Sequence, residues 1–338
     1  MRFLLALLVL GLSIAAAFTL WYQRALRPID SLSDVRVTVK IAEGMSVAEI
    51  AELLQQRELI RSSRAFMLYT RFTGSESQLQ AGKFVINQSL STKAIVDILS
   101  TGKAEEMIIT IPEGFTVSDI DSLLSEKDLV KAGEFIACAQ SCDVSDHWFL
   151  PEDTSKLADR GGLVEGYLYP DTYFVVAEGF TAEGFLNRLL TTFEKRVIKE
   201  FPDQLARSDV SLHQAITMAS LIEEEASNDT ERPVISGILW QRYNAGLGLG
   251  VDATVRYILN KPTDEITLLD LNTNSPYNTR KFKGLPPGPI ANPGRESIVA
   301  AFNPQETEYW YYLHGRNGDI HYAVSNEEHN INRNTYLR

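Results

Sequence analysis

The sequence predicts a mixed α+β protein from three observations. A strand-turn-helix unit occurs twice, seventy residues apart; an amphipathic helix spans 212–226; and a C-terminal hairpin follows a Pro/Gly-rich stretch. The 338 residues carry a formal charge of -12. That acidity argues against a nucleic-acid partner, which would want a basic face. The five histidines form no ligand spacing such as His-x3-His, so no metal is invoked, and chelators should leave activity unchanged. Cys138 and Cys142 permit a disulfide in an oxidising compartment but are too few to build a fold.

The N-terminus sets the expected compartment. Phe3 to Trp21 carries no charge and is flanked by Arg2, Arg24 and Arg27, with Trp21 and Tyr22 placed for a headgroup layer. We expect an uncleaved transmembrane anchor over 1–22. A secretory signal cleaved near Ala15-Ala16-Ala17 is the rival reading, and either exports the remaining chain.

The repeat aligns Val39-Lys-Ile-Ala-Glu-Gly-Met-Ser with Ile109-Thr-Ile-Pro-Glu-Gly-Phe-Thr. Each strand ends at Glu-Gly, and each following helix opens with a capping-box spacing, Ser46 with Glu49 and Thr116 with Asp119. The first copy continues into a helix near Ala65 to Phe72, a strand from Leu79 and a helix from Ser91 to Leu99.

On helix 212–226, Leu212, Ala215, Ile216, Ala219, Ile222 and Ala226 share one apolar arc, and Glu223 lies inside it. Glu224 projects with His213, Thr217 and Ser220 onto the polar side, and Glu225 sits at the boundary. A carboxyl held among hydrocarbons has its charged form disfavoured, which suits a general acid. The competing reading pairs Glu223 with a nearby arginine such as Arg232. Beyond the helix, Gly284-Leu-Pro-Pro-Gly-Pro-Ile and Asn292-Pro-Gly fix an ordered loop system. Tyr309 to Leu313 and Ile320 to Val324 then read as a hairpin around Gly315 to Gly318.

The first module resembles the LysM-like subdomain of cell-wall enzymes, which implies a glycan ligand. Ala219-Ser-Leu-Ile-Glu-Glu-Glu, Asp252-Ala-Thr-Val, Tyr277-Asn-Thr, Gly284-Leu-Pro-Pro-Gly-Pro-Ile, Asn292-Pro-Gly and His321-Tyr, in this order behind an N-terminal span, resemble the YceG/MltG family of membrane-anchored endolytic murein transglycosylases. The resemblance implies an anchor at 1–22, a linker at 23–36, a LysM-like subdomain at 37–107 and a catalytic α+β domain with an open cleft at 108–338. It places the catalytic glutamate on Glu223 and substrate contacts on Glu225, Asp252, Tyr277, Asn278 and Thr279. Ala226, Ala253, Arg280 and His314 depart from the family pattern.

The implied reaction cleaves the β-1,4 bond between N-acetylmuramic acid and N-acetylglucosamine without water or cofactor. One glutamate serves as acid and then base, and the product ends in a 1,6-anhydro sugar. The implied setting is the periplasmic face of a bacterial inner membrane, with peptidoglycan strands as substrate and peptidoglycan synthases as partners. Competing readings are a non-catalytic wall-binding scaffold, a glycan hydrolase, and a pyridoxal-phosphate lyase, for which no lysine has a suitable apolar setting.

Overall fold

The computed structural model describes all residues except 1, 32, 34, 102–105, 153–156, 158–160, 178–179, 208–209, 262–265 and 338. Positions 32 and 34 of the expected linker, and 102–105 at the expected end of the first module, therefore lie outside the described residues. The chain divides into two compact units, one of residues 1–108 with 174–180 and one of 109–173 with 181–338.

The first unit opens with α1 (Arg2–Leu26), followed by β1 (Arg36–Ile41), α2 (Val47–Gln56), α3 (Ser63–Thr73), β2 (Gly82–Asn87) and α4 (Thr92–Thr101). Among the described residues no helix is long and apolar enough to cross a membrane; the side chains of residues 2–10 fall outside that set. Strands β1 and β2 pair antiparallel in a register that places Arg36 opposite Asn87 and Ile41 opposite Gly82. Inward-facing Val39 and Ile41 meet Ile50, Leu54, Ile95 and Leu99 in one apolar core. Ser46 caps α2 reciprocally with Glu49, satisfying two amides that a helix end otherwise leaves unpaired.

The second copy of the repeat forms β3 (Glu106–Thr110) and α5 (Val117–Glu126), with Thr116 and Asp119 making the same reciprocal cap. Helix α6 (Glu134–Ser141) ends in a disulfide between Cys138 and Cys142, the bond that the cysteine spacing left open. Strand β3 pairs with β4 (Thr172–Val176), and the division between the units falls within both strands. Helices α7 (Ala182–Phe193) and α8 (Pro202–Arg207) then lead to α9 (Leu212–Glu225).

Helix α9 is capped by Ser211 with Gln214, and residues 215–222 are all buried. This corrects the amphipathic picture, in which Thr217 and Ser220 formed a polar side. Their hydroxyls donate to the carbonyls of His213 and Thr217 at 2.7 Å each, and Ser220 Oγ also accepts the Ile290 amide at 3.1 Å. Polar groups whose hydrogen bonds are met can be buried at modest cost, so hydropathy alone misassigns that face.

Around α9 pack α10 (Arg232–Asn244), α11 (Ala253–Leu259) and α12 (Arg295–Phe302). Residues 232, 236 and 240 line one stripe of α10, and all three reach α12. Arg232 Nε donates to Ser297 Oγ at 2.9 Å, Ser236 Oγ to the Ala300 carbonyl at 2.7 Å, and Trp240 Nε1 to the Ala301 carbonyl at 2.9 Å. The expected hairpin is β5 (Tyr311–His314) and β6 (Ile320–Ala323), which α13 (Asn326–Tyr336) follows.

Candidate active site

The buried helix α9 ends in three consecutive glutamates, and successive residues on a helix point about 100° apart. The three carboxyls therefore enter three different environments. Glu223 Oε1 accepts from Arg232 Nη2 at 3.1 Å and Oε2 from the Gly294 amide at 2.9 Å, and only 8% of its side chain is exposed. The burial matches its place in the apolar arc. The arginine that sequence offered as a competing partner is also present.

Arg232 is held on all sides. Besides Glu223 and Ser297 it pairs with Asp229, and Glu113 Oε2 lies 3.9 Å from Nη2. Glu113 belongs to the Glu-Gly turn of the second repeat. Desolvation, and then the charge on Glu223, push its carboxyl above the ordinary range.

Glu224 faces a cavity of about 120 Å³ lined by Gly114, Thr116, Asp119, Arg256, Tyr257 and Lys261, among others. Desolvation by these walls, followed by the charges of Glu223 and Glu225, raises its carboxyl to about 7. The polar side of α9 therefore opens at its C-terminal end onto a cavity. Gly114 sits between the two carboxyls: a Cβ there would lie 3.1 Å from Glu224 Oε1 and 4.0 Å from Glu223 Cγ, and its φ of +81° also favours glycine.

Glu225 turns toward the hairpin and accepts the Tyr312 hydroxyl at 2.8 Å. Burial, reinforced by the charge on Asp252, raises this carboxyl to about 7 despite that hydrogen bond. Asp252 itself is ion-paired with Arg280. The departure at 280 thus supplies the partner of a residue that the family motif contains.

The other segments singled out in the sequence form the frame. Asn278 donates to the carbonyls of Leu271 and Thr273 at 2.9 Å each, and Thr279 Oγ1 accepts the Val251 amide at 2.9 Å. Both are buried, as is Tyr277, whose ring lies against Tyr257. These three side chains brace the 271–279 loop against α11. Asp252 is the more exposed of the remaining two, its side chain 45% exposed, whereas the Glu225 carboxyl is buried against Tyr312.

Asn292 joins three segments. Its Oδ1 accepts the Leu168 amide at 2.8 Å, its Nδ2 donates to the Phe115 carbonyl at 2.7 Å and to Glu165 Oε1 at 3.3 Å, and its carbonyl accepts the Gly114 amide at 2.9 Å. Buried Glu165 in turn accepts the Val117 amide at 3.1 Å and the Tyr257 hydroxyl at 3.2 Å. The Asn-Pro-Gly segment is thus anchored two residues before the amide that meets Glu223.

Sequence reasoning missed Glu113, Gly294 and Tyr312 as parts of this site, and it treated Arg232 only as a reason to discount Glu223. The Glu-Gly repeated in both copies was a usable signal for Glu113. Tyr312 gave none, because its partner lies 87 positions away. Among the described residues no group of histidine, cysteine and carboxylate side chains is arranged to hold a metal.

The model of the YceG-like family matches residues 39–335. The chain belongs to the YceG-like family. Two relatives carry the name endolytic murein transglycosylase. The protein from Bacillus subtilis is 31% identical, with 96% of this chain and 91% of the relative covered. That from Streptococcus pneumoniae serotype 2 is 28% identical, with 91% of this chain and 60% of the relative covered. A crystal structure of a YceG-like protein from Listeria monocytogenes superposes with a TM-score of 0.63 at 28% identity, covering 88% of this chain and 98% of that one.

Proposed function

We propose that the chain is an endolytic murein transglycosylase that cleaves the bond between N-acetylmuramic acid and N-acetylglucosamine within a glycan strand, with Glu223 as acid and then base. The reading draws on the relatives' names and on one observation: each Glu223 oxygen accepts a hydrogen bond, one from Arg232 and one from the Gly294 amide.

When Glu223 gives its proton to the leaving glycosidic oxygen, the C1–O bond breaks and the sugar gains oxocarbenium character. The same two donors stabilise the carboxylate that forms, in a partly desolvated setting where such bonds are strong. The muramic C6 hydroxyl then closes onto C1, and its proton returns to Glu223. Intramolecular attack supplies the positioning that an external water would need. Glu225 and Asp252 are the proposed contacts for substrate, while Tyr277, Asn278 and Thr279 act by holding the loop.

The proposal extends to the setting. An N-terminal anchor within α1 would hold the catalytic body in the periplasm beside nascent strands and their synthases. The β1-α2-α3-β2 module, LysM-like in its order of elements, would hold glycan.

One observation favours a second reading. Glu223 and Glu224 flank Gly114, and paired carboxyls are what a glycan hydrolase uses. Mass spectrometry of uncrosslinked glycan strands incubated with the protein separates the two. Internal fragments ending in 1,6-anhydromuramic acid, absent with Glu223→Gln, are the expected outcome. Reducing ends would establish hydrolysis, and unchanged strands would leave a glycan-binding scaffold.

A further inference from the structure

A general acid must present a proton from one oxygen, yet Glu223 accepts a hydrogen bond at both: Oε1 from Arg232 Nη2 at 3.1 Å and Oε2 from the Gly294 amide at 2.9 Å. The amide is fixed, because Asn292 locks the loop that carries it, so Oε1 is the oxygen that can be released. The guanidinium that occupies Oε1 has other carboxylates already in place. It pairs through Nη1 with Asp229, and Glu113 Oε2 stands 3.9 Å from Nη2, the same nitrogen that serves Glu223. Its Nε is pinned to Ser297 Oγ at 2.9 Å. With Nε held, the planar guanidinium can pivot as a unit about that bond, exchanging partners at Nη2 without moving the helix.

The exposures are graded in the same sense. The Glu223 and Arg232 side chains are 8% and 10% exposed, whereas Glu113 and Asp229 are 50% and 74% exposed. Two more exposed acids thus stand around a buried cation that also pairs with a buried acid, one of them already bonded to it. The remaining charged groups near this centre are Glu224 on α9 and Glu296 on α12; Arg295 is turned away toward Glu200 and Glu296.

We propose that Arg232 is a positioning residue that governs when Glu223 holds a proton: it withdraws from Oε1 onto Glu113 and Asp229 to let the carboxyl protonate from solvent, and returns once the proton has passed to the leaving oxygen. Arg232 stays protonated throughout; the solvent proton arms Glu223 before the first turnover, and within each turnover the proton that Glu223 gives up is replaced by that of the C6 hydroxyl. The inference rests on Glu223 being the acid and base of the reaction. It adds a carboxylate relay around the arginine, with the second repeat supplying one acceptor through Glu113.

The test is the pH dependence of kcat for release of anhydro-ended fragments from purified glycan strands, using the full chain and its Arg232→Gln, Arg232→Lys and Asp229→Asn variants. Loss of the guanidinium should lower kcat at least tenfold and move the alkaline limb upward by about one unit or more, the usual influence of an adjacent opposite charge. Asp229→Asn removes a competing acceptor and should move that limb downward. Arg232→Lys keeps the charge and should leave the limb near its original place with a reduced kcat. An alkaline limb in Asp229→Asn that coincides with the unsubstituted protein overturns the proposal, and that exposed site keeps the test usable if Arg232→Gln fails to fold. Retained activity in Glu223→Gln would instead refute the assignment of the acid, whatever the arginine variants do.

Discussion

The Tyr312 hydroxyl donates to Glu225 Oε2 across 2.8 Å, so that strand β5 closes over the last residue of α9. Two residues further on comes a second tie: His314 Nε2 meets Glu231 Oε2 at 2.9 Å, and Glu231 in turn accepts the Ser227 amide at 2.9 Å. The hairpin thereby braces the segment between α9 and α10, which carries Asp229 and leads directly into Arg232 at the start of α10. Removing the hydroxyl in Tyr312→Phe leaves a buried carboxyl without its donor. The variant should lose about 1–3 kcal/mol of stability, read by urea unfolding at pH 8.

The same buried carboxyl sets a pH dependence of folding. Glu225 is raised from 4.5 to about 7 in the folded chain, so between those values the native state holds a proton that the unfolded state has released. Stability from this group is therefore full below about 4.5 and is lost as pH rises through about 7. Glu225→Gln keeps an acceptor for Tyr312 and removes the titration. Its melting temperature should fall less than that of the parent between pH 5 and pH 8, as followed by circular dichroism.

Substitutions along the α9 terminus should separate chemistry from surroundings. Glu223→Gln should lower turnover at least about 100-fold, the usual scale for loss of a general acid-base group, with glycan binding retained. Glu224→Gln should change turnover by less than about tenfold. A loss at Glu224 as large as that at Glu223 would transfer the proton donor to the cavity side of the helix. Anhydro-end formation, quantified by chromatography, checks both.

Asn292→Ala should reduce turnover although Asn292 touches no reacting atom. It frees the Leu168 amide, removes one of the two donors to the Phe115 carbonyl, and loosens the loop that presents the Gly294 amide to Glu223. Loss of one such donor to a developing charge commonly costs about 100-fold in kcat, with KM little changed. Steady-state kinetics on glycan strands measure the split.

Gly237→Ala should destabilise the chain by about 1–3 kcal/mol, because a Cβ there would land on the Gln305 carbonyl, which is backbone and cannot swing aside. Urea unfolding at neutral pH reads the cost.

Much of this architecture was legible in the residues. Capping boxes at Ser46 and Thr116, the helix expected over 212–226 and found over 212–225, and the hairpin of β5 and β6 all follow from local rules, in which spacing of a few residues decides the outcome. Glu223 was singled out by helical phase, which is also local. What escaped was the role of partners distant in sequence: Gly294 lies 71 positions from Glu223, and Tyr312 lies 87 from Glu225. Asn278 and Thr279 were legible as a motif but not as a brace, since backbone carbonyls and amides that demand side-chain partners leave no mark in composition.

The two Glu-Gly turns share more than spelling. Gly44 and Gly114 both sit at φ +81°, and each turn leads into a helix capped in the same way. Glu43 in the first turn is exposed, whereas Glu113 in the second stands beside an arginine and a buried glutamate. The molecule therefore contains its own control experiment: one cassette, used twice, of which a single copy lies beside Arg232 and Glu223. The pair asks how much of a carboxyl's character comes from the turn that carries it and how much from the neighbours that the turn happens to meet.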